Sequence, residues 1–271
     1  MRAGALAVLA FLVVAHAAKA GPRVLSLDQC ADQYVLALSP RADIVGLSTR
    51  ARNADSFLRA EAVNVPERRA SLESVLTARP QVVVRYWGGD GRVLAPLKQR
   101  GVRVLNIDDA VTFAGVAANI RMVAAGLGQP ARGQAFIARM NAKLARAANG
   151  GGGRGILYLT SGGDTQGPGT LIDAMIRGAG FTNLATRPGF GVVSLEHLAI
   201  RPPSLVVLGF YDQDMAASER WSVGRSPLLA RLAARKQALS LPGAILGCPA
   251  WFVADGALAL AAWGRAHPRE P

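Results

Sequence analysis

The stretch SLESVLTARPQVVV, residues 71–84, returns 123 positions later as SLEHLAIRPPSLVV, residues 194–207. Each copy predicts one structural unit. A serine caps a short helix, a glutamate lies in its first turn, a proline ends the turn and a β-branched strand follows. Because a repeated unit indicates a repeated architecture, we expect two lobes of similar build.

Strand-like and helix-like runs alternate on both sides of each copy. The sequence predicts strands over 23–27, 43–47, 81–85, 102–107, 155–160 and 244–247. Helices are expected between them, including 93–100, 171–179 and a closing helix over 254–265. This alternation is typical of parallel sheets covered by helices. The predicted fold class is α/β, with two Rossmann-like lobes.

The middle of the chain lacks strand signals. Apolar residues recur at helical spacing through 112–148, and a glycine-rich run follows at 149–153. We therefore predict an N-terminal lobe over 21–128, a linker helix over 129–149 and a C-terminal lobe over 150–271. A ligand cleft is expected between the lobes.

Residues 1–20 have the features of a cleavable export signal. Arg2 is followed by an apolar core over 5–15 and by Ala18-Lys19-Ala20, an A-x-A cleavage site. The apolar core is too short to span a bilayer. The mature chain is expected to begin near Gly21 as an exported, soluble protein.

The chain is basic, with 31 Lys and Arg against 18 Asp and Glu. Loss of residues 1–20 would leave 29 basic residues and a net charge of +11. These charges are scattered, mostly arginine, and no nucleic-acid motif accompanies them. Nucleic acid is therefore not an expected partner.

Aromatic residues are concentrated where strands are predicted to end. Ligands of open α/β sheets bind beyond the carboxyl ends of the strands. Candidate ligand contacts at these positions are Asp28, Tyr86, Trp87, Tyr211 and Trp251. Rings bury much area and suit a large, flat ligand, whereas the alternative for each ring is a place in a lobe core.

The sequence offers no evident catalytic set or protein-built metal site. The chain has three histidines, without the spacing of metal ligands, and G-x-S-x-G is absent. The glycines at 162–169 lack a phosphate-loop motif and favour a tight turn, although a backbone cradle for a ligand stays open. Binding without catalysis and without a resident cofactor is the interpretation.

Two cysteines, Cys30 and Cys248, lie near opposite ends of the chain. Export permits a disulfide, and because two cysteines allow only one intramolecular pairing, a Cys30–Cys248 bridge is favoured. The alternative is a pair of buried free thiols.

The mature chain resembles the periplasmic substrate-binding proteins of ABC importers for iron siderophores, haem and cobalamin. The resemblance is carried by VLSLDQCAD at 24–32, both S-L-E-x(6)-P-x-x-V-V units, VRYWGG at 84–89 and the GPGTL turn at 167–171. It implies two α/β lobes joined by one rigid helix, with the ligand between them. The loop at 86–89 is most similar to that of the cobalamin-binding members.

The resemblance also implies a partner. One glutamate on each lobe of such proteins pairs with arginines of the dimeric inner-membrane permease, and these glutamates match Glu73 and Glu196. The cysteine pairing is not implied, because in the cobalamin-binding members both cysteines lie in the C-terminal lobe.

The predicted function is capture of a corrinoid or a ferric siderophore for delivery to the permease, with the metal arriving inside the ligand. Haem is the alternative within the family. Outside it stand an exported sensor module, which would use the same cleft without a permease, and an exported α/β enzyme, which would need converging acid and base groups.

Overall fold

The computed structural model describes residues 21–211, 226–234 and 238–268, so the predicted export signal at 1–20 lies outside the described residues. The described strands are β1 (Val24–Ser26), β2 (Ile44–Ser48), β3 (Glu67–Arg68), β4 (Val82–Arg85), β5 (Arg103–Asn106), β6 (Gly155–Thr160), β7 (Asp164–Gln166), β8 (Thr182–Asn183), β9 (Phe190–Val192), β10 (Val206–Gly209) and β11 (Ala238–Leu241). The described α-helices are α1 (Gln29–Leu38), α2 (Leu72–Ala78), α3 (Gly91–Gln99), α4 (Phe113–Gly126), α5 (Pro130–Ala147), α6 (Leu171–Gly178), α7 (Leu195–Ile200), α8 (Pro227–Ala233), α9 (Gly243–Leu246) and α10 (Val253–Ala266).

The N-terminal lobe is built on a parallel sheet of order β3-β2-β1-β4-β5. Its two central strands, β1 and β4, are buried apart from Arg85 and read as β-branched or aliphatic runs. The strand order reverses between β1 and β4, which are hydrogen-bonded neighbours. In such sheets the crevice for a ligand opens at this point, beyond the carboxyl ends of the two strands.

The C-terminal lobe repeats this design with a parallel sheet of order β11-β10-β6-β8. The two-lobed α/β prediction is therefore confirmed. An antiparallel ribbon of β7 and β9 is added beside the sheet, and β7 lies in the glycine-rich stretch for which a tight turn was predicted.

One predicted strand is wrong. Residues 244–247 do not form the last strand, because α9 occupies Gly243–Leu246 and the strand is β11, over Ala238–Leu241. Pro242 has a helical φ of −59° and no N–H to donate to a strand ladder. The Pro242 carbonyl instead accepts the Ile245 N–H at 3.0 Å, which starts a helical turn despite the β propensity of Ile245.

Both copies of the sequence repeat fold as predicted. Ser71 caps α2 by accepting the Ser74 N–H, and Ser194 caps α7 by accepting the His197 N–H. Each helix is followed by a central strand of its lobe, β4 or β10.

The long helix α5 packs against α4 of the N-terminal lobe and α10 of the C-terminal lobe. Pro130 lies at its start, where the missing N–H costs nothing. Gly133 allows a close approach to α4, since a Cβ there would lie 2.5 Å from the Ala124 side chain. Among the helices of the described ranges, none combines the length and the hydropathy that a membrane span needs.

Candidate functional site: a cavity between the lobes

A cavity of about 280 Å³ lies where the carboxyl ends of both sheets meet. The N-terminal lobe, the β7–β9 ribbon with α6, and the segment after α9 each contribute to its walls. The lining residues are Tyr86, Asp109, Ala110, Val111, Gln166, Gly169, Thr170, Leu171, Ile172, Gly189, Phe190, Leu246, Gly247, Cys248, Pro249 and Val253.

Asp28 holds the loop that carries Tyr86. One carboxylate oxygen caps α1 by accepting the Ala31 N–H at 2.9 Å. The other accepts the N–H groups of Tyr86 at 2.7 Å and of Gly88 at 2.9 Å. Both oxygens therefore have backbone partners, which gives Asp28 a positioning role.

Tyr86 is the predicted contact that does line the cavity. Its hydroxyl donates to Oδ1 of Asp109 at 2.7 Å. Burial, followed by the bond to the Asp109 carboxylate, raises the pKa of Tyr86 to about 12. The phenol is thus neutral over the physiological range and presents a ring edge and a proton that is already donated.

Trp87 lies next to Tyr86, with their ring centroids 5.0 Å apart in an edge-on arrangement. Its side chain is 71% exposed and does not line the cavity itself. We place Trp87 at the rim of the cavity, beside the wall that Tyr86 forms.

The opposite wall contains Phe190, which the sequence analysis missed. It lies on β9, lines the cavity and is 77% exposed. The local signal was the run Gly189-Phe190-Gly191-Val192-Val193, an alternating β-type stretch between glycines. Three-residue strands give too short a period to be distinguished from loop by pattern alone.

The cavity floor ties the lobes together. Cys30 at the start of α1 and Cys248 after α9 form a disulfide, with the sulfur atoms 2.10 Å apart. One turn further along α1, the Tyr34 hydroxyl donates to the Pro249 carbonyl at 2.6 Å. The disulfide that the sequence favoured is therefore present in the structure, and it crosses from one lobe to the other.

Trp251, a predicted ligand contact, does not line the described cavity. It is 6% exposed and meets the rings of Tyr34, Phe136 and Phe252 at centroid distances of 5.5, 4.9 and 5.4 Å. Phe252 also stacks on Phe57 at 4.3 Å. These rings come from both lobes and from α5, so Trp251 belongs to the core beneath the cleft.

Tyr211 is half-buried and packs against the core of the C-terminal lobe. Burial raises the pKa of its phenol, and its hydroxyl is buried without a hydrogen bond. It does not line the described cavity. The structure thus separates Tyr211 from Tyr86 among the predicted contacts.

Glu73 and Glu196 lie away from the cavity. Each is exposed in the first turn of its helix, α2 or α7. Within the described ranges, no cluster of three or more His, Cys, Asp or Glu side chains is suited to hold a metal ion.

Two α/β lobes around a ligand-sized cavity define a two-lobed solute-binding protein. The chain belongs to the periplasmic binding protein family, whose model matches residues 24–237. No curated protein sequence matches the chain.

Several solved structures share this fold. The periplasmic haem-binding protein RhuT from Roseiflexus sp. RS-1 is 23% identical, with a TM-score of 0.72 over 90% of this chain and 98% of that chain. A periplasmic haem-binding protein from Pseudomonas aeruginosa is 24% identical, with a TM-score of 0.68 over 92% and 94%. The vitamin B12-binding protein BtuF of Vibrio cholerae is 18% identical, with a TM-score of 0.63 over 91% and 97%.

Proposed function

We propose that this chain is the substrate-binding component of an ABC importer. It captures a corrinoid or a ferric siderophore in the periplasm and delivers it to an inner-membrane permease. The observation that carries the proposal is a cavity between the lobes lined by Tyr86 and the exposed ring of Phe190, with the exposed ring of Trp87 beside Tyr86. The metal arrives within the ligand, and the protein contributes no metal ion or cofactor of its own.

The cavity is small for a ligand of this class, so we expect part of the ligand to protrude from it. Ligand pockets typically measure about 300–1,000 Å³, and this cavity of about 280 Å³ lies just below that range. A flat, rigid macrocycle would fill the cavity with one edge and leave its faces at the rim. At the rim, the exposed rings of Trp87 and Phe190 would cover the faces of the macrocycle, and both rings would lose their contact with water.

Haem remains the alternative, and one observation favours it. Haem iron needs an axial ligand from the protein, usually His, Cys, Met or Tyr. Among the described residues that line the cavity, Tyr86 has such a side chain, while Cys248 is bonded to Cys30. Coordination to iron would require Tyr86 to lose a proton, and its pKa of about 12 opposes this. A metal complex that brings its own axial ligands avoids this cost.

The test is titration of the purified protein with cyanocobalamin, ferrichrome and haemin, followed by absorbance and tryptophan fluorescence. We expect cyanocobalamin or ferrichrome to bind with a micromolar or lower Kd. Trp87→Ala and Phe190→Ala should each weaken binding by about 2 kcal/mol, roughly thirtyfold, as for a buried aromatic anchor. Val63→Ala is the matched control, since Val63 is 49% exposed and does not line the cavity.

Tyr86→Phe separates the two classes of ligand. For a corrinoid or a siderophore, the ring is kept and affinity should change by less than about threefold. For haem bound through the phenol, the iron spectrum should change and affinity should fall strongly. Absence of binding to all three compounds, or equal weakening by Trp87→Ala and Val63→Ala, would contradict the proposal.

Docking to the permease is assigned to Glu73 and Glu196. Both are exposed, carry no ion pair to another described residue and lie in the first turns of equivalent helices. The positive end of a helix stabilises a carboxylate there. Because α5 holds the lobes together, two arginine patches on a dimeric permease could engage both carboxylates, and the second contact would gain from effective concentration.

A further inference from the structure

Asp43 presents a buried carboxylate oxygen without a partner. The residue ends the short helical turn Arg41–Asp43 before β2 and is 9% exposed. Its Oδ2 atom is buried and makes no hydrogen bond. Buried carboxylates usually have a cation or several hydrogen-bond donors beside them, so we expect such a group to bind this oxygen.

Gly21 lies directly against this oxygen. A Cβ at Gly21 would be 2.2 Å from Oδ2 of Asp43 and 3.1 Å from its Cγ, so any larger residue would have to displace the carboxylate. The nitrogen of Gly21 is about 1.46 Å from the same Cα, which places it within about 5 Å of Oδ2.

The position of Gly21 is fixed by its neighbours. Pro22 restricts the residue before it to extended conformations. The Arg23 N–H then donates to Oε1 of Gln81 at 2.9 Å, and the Arg23 carbonyl accepts the N–H groups of Gln81 and Val82. The segment is thereby attached to the start of β4.

The sequence predicts cleavage at this point. Hydrolysis after Ala18-Lys19-Ala20 breaks the peptide bond between Ala20 and Gly21. The hydroxyl of water goes to the Ala20 carbonyl, and the hydrogen goes to the Gly21 nitrogen. The new α-amine has an ordinary pKa of about 7.7–8.0 and takes up a further proton at neutral pH.

We propose that Asp43 is the binding site for the α-ammonium group of Gly21 that signal cleavage creates. Before cleavage, Gly21 offers one uncharged amide N–H; afterwards it offers three donors and a full positive charge. Removal of the signal therefore supplies the missing partner of Asp43 and stabilises the folded N-terminal lobe. This inference rests on the export part of the proposed function and is independent of the ligand.

The first measurement is the mass of the N-terminal peptide after export, which should begin at Gly21. The second compares chains released from a fusion partner by a site-specific protease and oxidised under the same conditions. One begins at Gly21 and one begins at Ala20, each with and without Asp43→Asn. The extra residue should lower Tm by about 3–6 °C when Asp43 is present, and it should have no effect in the Asp43→Asn background.

Asp55→Asn is the control, because Asp55 lies in the same lobe and pairs with Arg50. This substitution should leave the loss of Tm that the extra Ala20 causes unchanged. If Asp43→Asn does not fold, the rate of acetylation of the Gly21 α-amine tests the inference instead. It should be at least fivefold slower in the folded protein than in a peptide with the same first ten residues.

Three results would overturn the inference. The exported chain could begin at a residue other than Gly21, the extra Ala20 could lower Tm equally with and without Asp43→Asn, or the Gly21 α-amine could be acetylated as fast as that of the peptide. None of these measurements involves a ligand. Titration of the same proteins with cyanocobalamin or ferrichrome therefore separates failure of this inference from failure of the proposed function.

Discussion

Replacing Asp28 by asparagine tests how the cavity wall is held in place. The side chain keeps its shape but has one acceptor oxygen in place of two. If that oxygen stays on the Ala31 N–H, the new amide NH₂ faces the N–H groups of Tyr86 and Gly88, which the carboxylate accepted at 2.7 and 2.9 Å. The helix cap survives, because asparagine caps as well as aspartate, and the two loop bonds are lost.

The size of the effect follows from those two bonds. A hydrogen bond to a charged group contributes roughly 1.5–3 kcal/mol when it is buried. Asp28 is only half-buried, so we take the lower limit for each of the two bonds and expect a loss of about 3 kcal/mol. In a chain of this length, such a loss lowers Tm by roughly 5–10 °C. Ligand affinity should fall by about tenfold, since the loop at 86–88 must then be ordered on binding.

The assay is denaturant unfolding of both proteins, with titration by the compound that binds the wild-type chain. Asp90→Asn is the matched control. Asp90 also caps a helix, but its second oxygen contacts exposed Arg92 only, and its replacement should change stability by less than about 0.5 kcal/mol. Unchanged stability of Asp28→Asn together with lost binding would refute the positioning role and return Asp28 to direct contact with the ligand.

The remaining predictions concern the disulfide, one buried carboxyl and the docking glutamates. The denatured, unreduced protein should have no titratable thiol, and replacing Cys30 and Cys248 by serine should cost about 3–5 kcal/mol; two free thiols would contradict the pairing. Burial raises the pKa of Asp32 to about 6, above the roughly 3.9 of an unfolded chain, so the folded state binds this proton more tightly. Its contribution, up to about 3 kcal/mol, is full below pH 4 and is lost as pH rises through 6, so the Tm of wild type relative to Asp32→Asn should fall between pH 4 and 7; a difference independent of pH would contradict this. Glu73→Ala and Glu196→Ala should each impair transport, and the double variant should nearly abolish it with ligand affinity unchanged; normal transport by the double variant would leave the glutamates with helix stabilisation alone.

The parts of the fold that were predicted correctly depend on local chemistry. The serine caps, the prolines and the β-branched runs of the repeated unit act over fewer than ten residues, and both copies fold alike. One error arose where distant partners decide, because the β7–β9 ribbon exists through the pairing of two separate three-residue strands. The error at 243–246 is local, since a proline and the helical turn after it outweigh β-type side chains.

The site was predicted in part for the same reason. Tyr86 was found because it follows a central strand, a position that the sheet order alone brings to the cavity. Trp251 also follows a predicted strand end, but that strand is a helix, and its ring meets Tyr34, Phe136 and Phe252 from other parts of the chain. Whether a loop aromatic lines a cleft or fills a core depends on such partners, which periodicity and turn signals do not encode.

The base of the cleft limits how the protein can adapt to its ligand. The lobes are joined there by α5, by the Cys30–Cys248 disulfide, by the bond from Tyr34 to Pro249 and by a buried layer of rings. Opening the cleft widely would require packed rings to separate, and close-packed cores resist continuous deformation. The side chains at the rim are not restrained in this way, because Trp87 and Phe190 are more than two-thirds exposed. We therefore expect the rim side chains to rotate when a ligand binds, while the lobes rearrange little. The entropy cost of ordering the site on binding is then small, because the lobes are already held together before the ligand arrives.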